Sequence, residues 1–259
     1  MPREKGTPGG SEIQCATLMG AGTLGATIVW GDQGRRIGIS AAHVLPDKGA
    51  SVFQPSRITH PADSEEIGIV QGVCGGKLYA KRSDYFTDKS NRSDGQYDFA
   101  FFEAYQGETS TVIAGGVYPG PPGNVGEPPP LQLRDPRRGD TVKWMGKKTG
   151  RVLSGEIVDM EYWGLVQRGS RYVGTEKLFK IRPDGVLPQP GDSGSALVST
   201  TDNMIVGVLS GKVTDLRCAI GSRIPPDEMD LDSTTYVDEA TAEARLEEFL
   251  KHESWCVVL

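Results

Sequence analysis

A chain of 259 residues can bury a full core, either as one large β domain or as two smaller lobes. Its 34 glycines and 17 prolines, with few long helical patterns, favour many short strands and turns over a helix bundle. A net charge of −6 without any basic stripe argues against nucleic acid or an anionic membrane surface as the main partner.

Residues 1–14 are polar and contain Gly and Pro, and they read as a flexible N-terminal arm without the apolar core of a secretory signal. No apolar run approaches the roughly 20 residues of a membrane span, so the expected location is cytoplasmic. Cys15, Cys74, Cys218 and Cys256 are scattered without CxxC spacing, which indicates neither a zinc site nor a dense disulfide framework. Free thiols are expected, with no metal and no cofactor.

From Leu24 two β-rich runs, Gly25 to Trp30 and Arg36 to Ser40, flank a Gly/Asp turn and read as a hairpin. The second run delivers Ala41-Ala42-His43-Val44 at a strand end, where a rigid element fixes the histidine. Short strands are expected at Ser51–Phe53, Glu66–Gly72 and Lys77–Ala80, followed by a polar loop from Lys81 to Gln96. That loop runs into Tyr97-Asp98-Phe99-Ala100-Phe101-Phe102, an apolar strand interrupted by an acid. A carboxylate buried there unpaired would cost several kcal/mol, so Asp98 requires a hydrogen-bonding partner or an edge position.

Pro119, Pro121, Pro122, Pro128, Pro129, Pro130 and Pro136 cannot form interior strands, and 107–140 reads as an extended connector between a first lobe, 15–106, and a second, 141–215. The second lobe carries strand-length runs at Thr141–Met145, Val152–Met160, Leu178–Ile181, Ala196–Ser199 and Met204–Ser210. Gly146-Lys147-Lys148-Thr149-Gly150 has the wrong glycine-to-lysine spacing for a phosphate loop and suits a hairpin turn. Arg138-Gly139-Asp140 reads as a turn before a strand, and His60, before Pro61, as a surface loop residue. In the extension from 216 to 259, Ala242, Leu246, Phe249 and Leu250 fall at helical spacing within about 238–252, with acids early and Lys251 and His252 late to suit the dipole. Such a helix is expected to pack on the second lobe. The terminal Cys256-Val257-Val258-Leu259 satisfies the Cys-aliphatic-aliphatic-X pattern, which would place a lipid anchor at Cys256 and make membrane association the alternative to a cytoplasmic location. No polybasic stretch precedes it, and a single lipid anchors only marginally.

The stretch Gly191-Asp192-Ser193-Gly194-Ser195 lies between the breaker-rich Leu187-Pro188-Gln189-Pro190 and the apolar Ala196-Leu197-Val198. Alone it reads as an ordinary loop. With His43 at a strand end and Asp98 in an apolar run, it acquires a chemical reading. A serine hydroxyl is a poor nucleophile until a base takes its proton, and imidazole serves as that base when a buried carboxylate fixes its tautomer. Glycines on both sides let backbone N–H groups converge beside the hydroxyl, as an oxyanion hole requires.

Four motifs in order now resemble the chymotrypsin-like (trypsin fold) serine peptidases: Ser40-Ala41-Ala42-His43, Asp98-Phe99-Ala100-Phe101, Gly191-Asp192-Ser193-Gly194 and Gly207-Val208-Leu209-Ser210. The resemblance spans roughly residues 15 to 215. It implies an all-β fold of two antiparallel six-stranded β-barrels with a C-terminal α-helix, a catalytic His43/Asp98/Ser193 set in the cleft between the barrels, and an oxyanion hole from the N–H groups of Gly191 and Ser193. The implied partner is a protein or peptide substrate, with Ser210 approaching the acid and Ser210, Gly211 and Lys212 bordering the substrate. Counting back six residues from Ser193 puts Leu187 at the pocket floor, which disfavours Lys or Arg substrates, whereas Asp184 nearby would allow them. Lys212 would restrict or recharge the pocket mouth. The family's Ile-Val-Gly-Gly activation terminus is absent, so Asp192 needs another partner, for which an arginine is the natural candidate. An α/β-hydrolase is disfavoured by motif order, since His252 is the only histidine after Ser193. The alternatives are a trypsin-fold binding module without turnover and a dormant protease that needs a partner for activation.

Overall fold

The computed structural model describes residues 6–30, 34–113, 133–225, 234–251 and 256–257. Strand β1 (Thr7–Gly9) opens the described chain and is followed by β2 (Glu12–Cys15), β3 (Gly22–Thr23), β4 (Ala26–Trp30), β5 (Arg35–Ser40), β6 (Ser51–Gln54) and β7 (Glu65–Val73). Helix α1 (Arg82–Thr87) and β8 (Ser93–Gly95) come next, then β9 (Ala100–Ala104) and β10 (Thr109–Ile113). The second half carries β11 (Thr141–Met145), β12 (Val152–Arg168), β13 (Arg171–Pro183), β14 (Ala196–Ser199), β15 (Ile205–Val213), β16 (Cys218–Ser222), β17 (Thr234–Tyr236), α2 (Glu239–Lys251) and β18 (Cys256–Val257).

The first sheet runs β3-β2-β6-β7-β9-β5-β4. Only Leu24 and Gly25 separate β3 from β4, so one extended segment pairs with β2 at its start and with β5 at its end and curls the sheet round on itself. The second sheet runs β17-β8-β13-β16-β15-β14-β11-β12-β18, and a further β12–β13 pairing closes it into a ring. Closure leaves few open edges to invite strand addition. The polypeptide is therefore all-β with a C-terminal helix, as the motifs implied.

The two cores meet on β14 and β15. All four residues of β14 are buried. Because side chains alternate along a strand, Ala196 and Val198 join the cluster under the first sheet, with Ile39 and Phe102, while Leu197 joins the second, with Trp144 and Phe179. The first three residues of β14 are accordingly apolar, and the fourth, Ser199, is buried with its hydroxyl accepting the Thr201 N–H at 3.2 Å.

Four expectations differ from the fold. The described part of the N-terminal arm is strand: Glu12 and Gln14 are buried, with Glu12 accepting from the Thr59 hydroxyl at 2.5 Å and Gln14 Oε1 from Ser56 Oγ and the Arg57 N–H. The loop from Lys81 to Gln96 contains α1, whose Asp84 carboxylate accepts the Lys81 N–H at 3.1 Å, and β8, which joins the second sheet at Thr175. The run Lys77–Ala80 makes a single bridge, Tyr79 to Tyr172, and residues 114–132 of the proline-rich connector lie outside the described residues. Strand β16, beyond the expected end of the second lobe, pairs with β15 and β13 as a full member of the ring.

Helix α2 docks through Arg245. Its guanidinium stacks over the Trp163 ring at 4.5 Å, donates to Asp94 Oδ2 at 2.5 Å and reaches Glu176, while Phe249 meets Phe86 at 5.1 Å. Tyr85 Oη and Trp163 Nε1 also donate to Asp94 Oδ2, at 3.0 and 2.9 Å. Burial nevertheless pushes the Asp94 carboxyl up to about 6, against the pull of Arg245, Trp163 and Tyr85. Cys15, Cys74 and Cys218 are buried free thiols. Cys256 and Val257 pair in parallel with Leu165 and Val166 of β12.

Candidate active site

His43 follows β5 in a tight turn in which the Val44 and Leu45 N–H groups both donate to the Ala41 carbonyl. Ala41 and Ala42 are fully buried, and their small side chains let the turn sit against the core. Asp98 lies just ahead of β9, its backbone N–H fixed on Ser222 Oγ at 2.9 Å.

These two elements bring the imidazole and carboxylate together: His43 Nδ1 is 2.8 Å from Asp98 Oδ2, and the His43 backbone N–H donates to Oδ1 at 3.1 Å. Ser210 Oγ donates to the same Oδ2 at 2.6 Å. Burial of Asp98 is complete and by itself would raise its pKa, but the His43 charge and the bonds from His43 and Ser210 hold the carboxyl below the usual carboxylate range. An ionised acceptor on Nδ1 fixes the tautomer and leaves Nε2 to exchange protons. Nε2 is buried and has no hydrogen-bond partner among the described residues. Such unpaired buried nitrogens are uncommon in proteins.

Ser193 is 1% exposed and its Oγ donates to the Ser210 carbonyl at 3.3 Å, so Ser210 touches Asp98 through its side chain and Ser193 through its backbone. The turn around Ser193 is built by both sheets. Thr23 of β3 donates its N–H to the Ser193 carbonyl at 2.8 Å and its hydroxyl to the Gly191 carbonyl at 2.8 Å. Gly194, at φ +92°, sits so close that a Cβ would lie 2.1 Å from Ser40 Oγ and 2.3 Å from the Thr23 carbonyl, so no other residue fits. Among the described residues, the Gly191 N–H has no hydrogen-bond acceptor.

Asp192 is fully buried and its partner is not an arginine. It accepts from the Thr149 N–H and the Gln189 N–H, both at 2.8 Å, and from the Thr149 hydroxyl. The Gly146–Gly150 turn therefore does more than join β11 to β12: it caps the carboxylate beside Ser193, and its Lys147 N–H donates to Thr23 Oγ1 at 3.0 Å. Gly146 is needed for this approach, because a Cβ there would fall 2.3 Å from Asp192 Oδ1. Sequence reasoning missed Thr23, Gly146, Thr149 and Ser222. Only long-range contacts reveal them, and nothing in their local sequence marks them.

Of the residues expected to border a substrate, Gly211 is buried and pairs with Ile220, and Lys212 reaches across to donate from Nζ to the Pro188 carbonyl at 3.0 Å. Leu187, next to that carbonyl, is half-buried. Asp184 is tied to β12, accepting from Ser154 Oγ at 2.6 Å and donating its N–H to the Ser154 carbonyl at 2.9 Å. Among the described residues no cluster of His, Cys, Asp and Glu could hold a metal ion, and no helix is long and apolar enough to cross a membrane.

Among solved structures, the chain is similar to Thermobifida fusca protease A, with a TM-score of 0.54 and 17% identity over 85% of this chain and 93% of that one. A Nocardiopsis protease gives 0.53 and 17% over 85% and 93%, and a glutamic-acid-specific serine protease gives 0.53 and 16% over 84% and 94%. No family model matches the chain, and no curated protein matches it by sequence. At these identities the likeness is one of architecture: the chain has the chymotrypsin fold.

Proposed function

We propose that this protein is a serine endopeptidase that hydrolyses peptide bonds through an acyl-enzyme. The observation that carries the reading is the His43 ring, locked at Nδ1 by a buried Asp98 carboxylate and unpaired at Nε2, in one buried cluster with Ser193 and Ser210. In the first half-reaction Ser193 Oγ attacks the substrate carbonyl while His43 Nε2 takes its proton. The imidazolium, stabilised by Asp98, then protonates the leaving amine. Water repeats the sequence on the ester. The Gly191 and Ser193 N–H groups receive the negative charge that develops on the carbonyl oxygen. The fold of the structural neighbours, two of them named as proteases and a third as a serine protease, supports the same class of chemistry.

The proposed form is ready without cleavage of the chain, since Asp192 already has three donors from Thr149 and Gln189. Ser193→Ala should lower kcat on peptide substrates by about 10⁶-fold with the fold intact. A fluorophosphonate that labelled the wild type and Ser193→Ala equally would overturn the assignment.

A further inference from the structure

Lys212 follows Ser210 by two residues on β15, and its side chain spans from that strand to the stretch preceding Ser193, where Nζ donates to the Pro188 carbonyl at 3.0 Å. It is half-buried. An ammonium has three N–H donors, and among the described residues the Pro188 carbonyl is the sole partner of this one. Neither of the nearby acids neutralises it: Asp192 is consumed by Thr149 and Gln189, and Asp184 by Ser154. Asp215, in the turn beyond β15, is exposed and makes no bond to it. A partly desolvated cation facing only a neutral carbonyl is incompletely compensated.

A second observation lies on the other side of the Ser193 turn. Lys147 and Lys148 are exposed, and the Lys148 Cβ lies 3.4 Å from where a Cβ on Gly191 would be, so this pair flanks Gly191 directly. Neither side chain has an ion-pair partner among the described residues. A chain of net charge −6 thus presents three unneutralised ammonium groups around the one turn that carries Ser193. Local reversal of sign against an acidic background concentrates anionic ligands at that place.

Resting on the serine endopeptidase reading, we propose that Lys212 is a specificity-determining residue that selects an acidic side chain, glutamate or aspartate, in the substrate residue whose carbonyl Ser193 attacks. That side chain enters between the Ser210–Lys212 segment and the Leu187–Gly191 segment, and its carboxylate pairs with the two remaining donors of the Lys212 ammonium. Lysine and arginine are rejected by like charge, and large apolar side chains by the span of the lysine across the entrance. Lys147 and Lys148 add a longer-range attraction for acidic peptides.

The test compares peptides that differ only in Glu, Gln, Lys or Ala at that residue, with kcat/KM measured on the full-length chain. Glu is nearly isosteric with Gln, so their ratio isolates charge from size. Wild type should favour Glu over Gln by about 10²-fold, in line with the coupling of a desolvated charge pair. Lys212→Met, which keeps the length and removes the charge, should bring the ratio to about 1, Lys212→Arg should retain the preference, and Lys212→Glu should turn it towards Lys. Equal cleavage after Glu and Gln in the wild type, cleavage chiefly after Lys or Ala, or a Glu preference that survives in Lys212→Met would each overturn the role of Lys212 while leaving the peptidase reading standing. Absence of cleavage of every peptide together with absence of fluorophosphonate labelling at Ser193 would overturn the peptidase reading, and this inference with it.

Discussion

The least expected contact in the site, the Thr149 hydroxyl on Asp192, gives the sharpest test of how the Ser193 turn is held. Thr149→Val removes one donor and keeps the branched shape. Asp192 is fully buried, so the lost bond is not replaced by water; its carboxylate retains the Thr149 and Gln189 N–H groups at 2.8 Å. A hydrogen bond to a charged group contributes about 1.5–3 kcal/mol, so a stability loss of about 2 kcal/mol is expected. If the same bond holds Gly191 and Ser193 in the reactive arrangement, kcat/KM and the rate of fluorophosphonate labelling should fall by about 10–30-fold, since each 1.36 kcal/mol is a factor of ten. Urea denaturation followed by tryptophan fluorescence reads the first quantity and labelling kinetics the second. Thr200→Val is the control: its hydroxyl bonds the Thr141 carbonyl at 3.1 Å on an exposed residue, and a change within about 0.5 kcal/mol is expected. A Thr149→Val protein as stable and as quickly labelled as wild type would refute the view that this turn holds Asp192.

Ser210→Ala should leave Asp98 with His43 as its remaining side-chain partner, costing about 1–3 kcal/mol in urea unfolding and lowering kcat, while the Ser210 carbonyl contact to Ser193 survives. Gly146→Ala should impair labelling of Ser193 more than Thr149→Val does, because its Cβ would fall 2.3 Å from Asp192 Oδ1; equal labelling of the two variants would count against that clash. For Asp94, the folded value of about 6 lies above the ordinary 3.8, so its contribution to stability is fully present below about pH 4 and is lost as pH rises through 6. That contribution amounts to at most about 3 kcal/mol, and Asp94→Asn should remove this slope, read as the change between pH 4.5 and 7 in the stability difference from wild type. Arg245→Met leaves the Asp94 carboxylate buried without its cation and should cost about 3 kcal/mol at pH 7 and less at pH 5, where Asp94 is largely protonated; an equal loss at both pH values would argue against the pairing.

Much of the fold was legible because strands announce themselves locally. Thr141–Met145 and Ala196–Ser199 were found at their observed bounds, and β4, β5, β6 and β7 within a residue or two. The N-terminal strands were not, because Glu12 and Gln14 look solvated and become buried through bonds from Thr59, Ser56 and Arg57, residues over forty positions away. Helix α1 was hidden in a polar loop because it is only six residues long with one capping carboxylate, and the second half of β12 because Tyr162-Trp163-Gly164-Leu165-Val166 is apolar without alternation. At the site, His43, Asp98, Ser193 and Ser210 carry signals because each sits in an unusual local context, a polar side chain set against an apolar run or a glycine-flanked turn. Thr23 and Thr149 occupy ordinary ones.

That division has a physical origin. The groups proposed to do chemistry must be placed against hydrophobic strands, which write a pattern around them, whereas the groups that hold them need only a donor at the right distance, which any loop can offer. Thr23 shows how much rests on the second kind. Its N–H and hydroxyl bind the Ser193 and Gly191 carbonyls, it accepts the Lys147 N–H, and its own carbonyl accepts Ser40 Oγ at 2.9 Å. One residue of the first sheet thus joins the segment leading to His43, the turn carrying Ser193 and the loop capping Asp192. The Ser193 turn belongs to neither sheet alone: its shape exists only where Gly194 is pressed between Ser40 and Thr23 from one side and Asp192 is capped by Thr149 from the other. A loop of glycines, an aspartate and serines has no intrinsic shape of this kind, and here it acquires one because contacts from both sheets fix it from opposite sides.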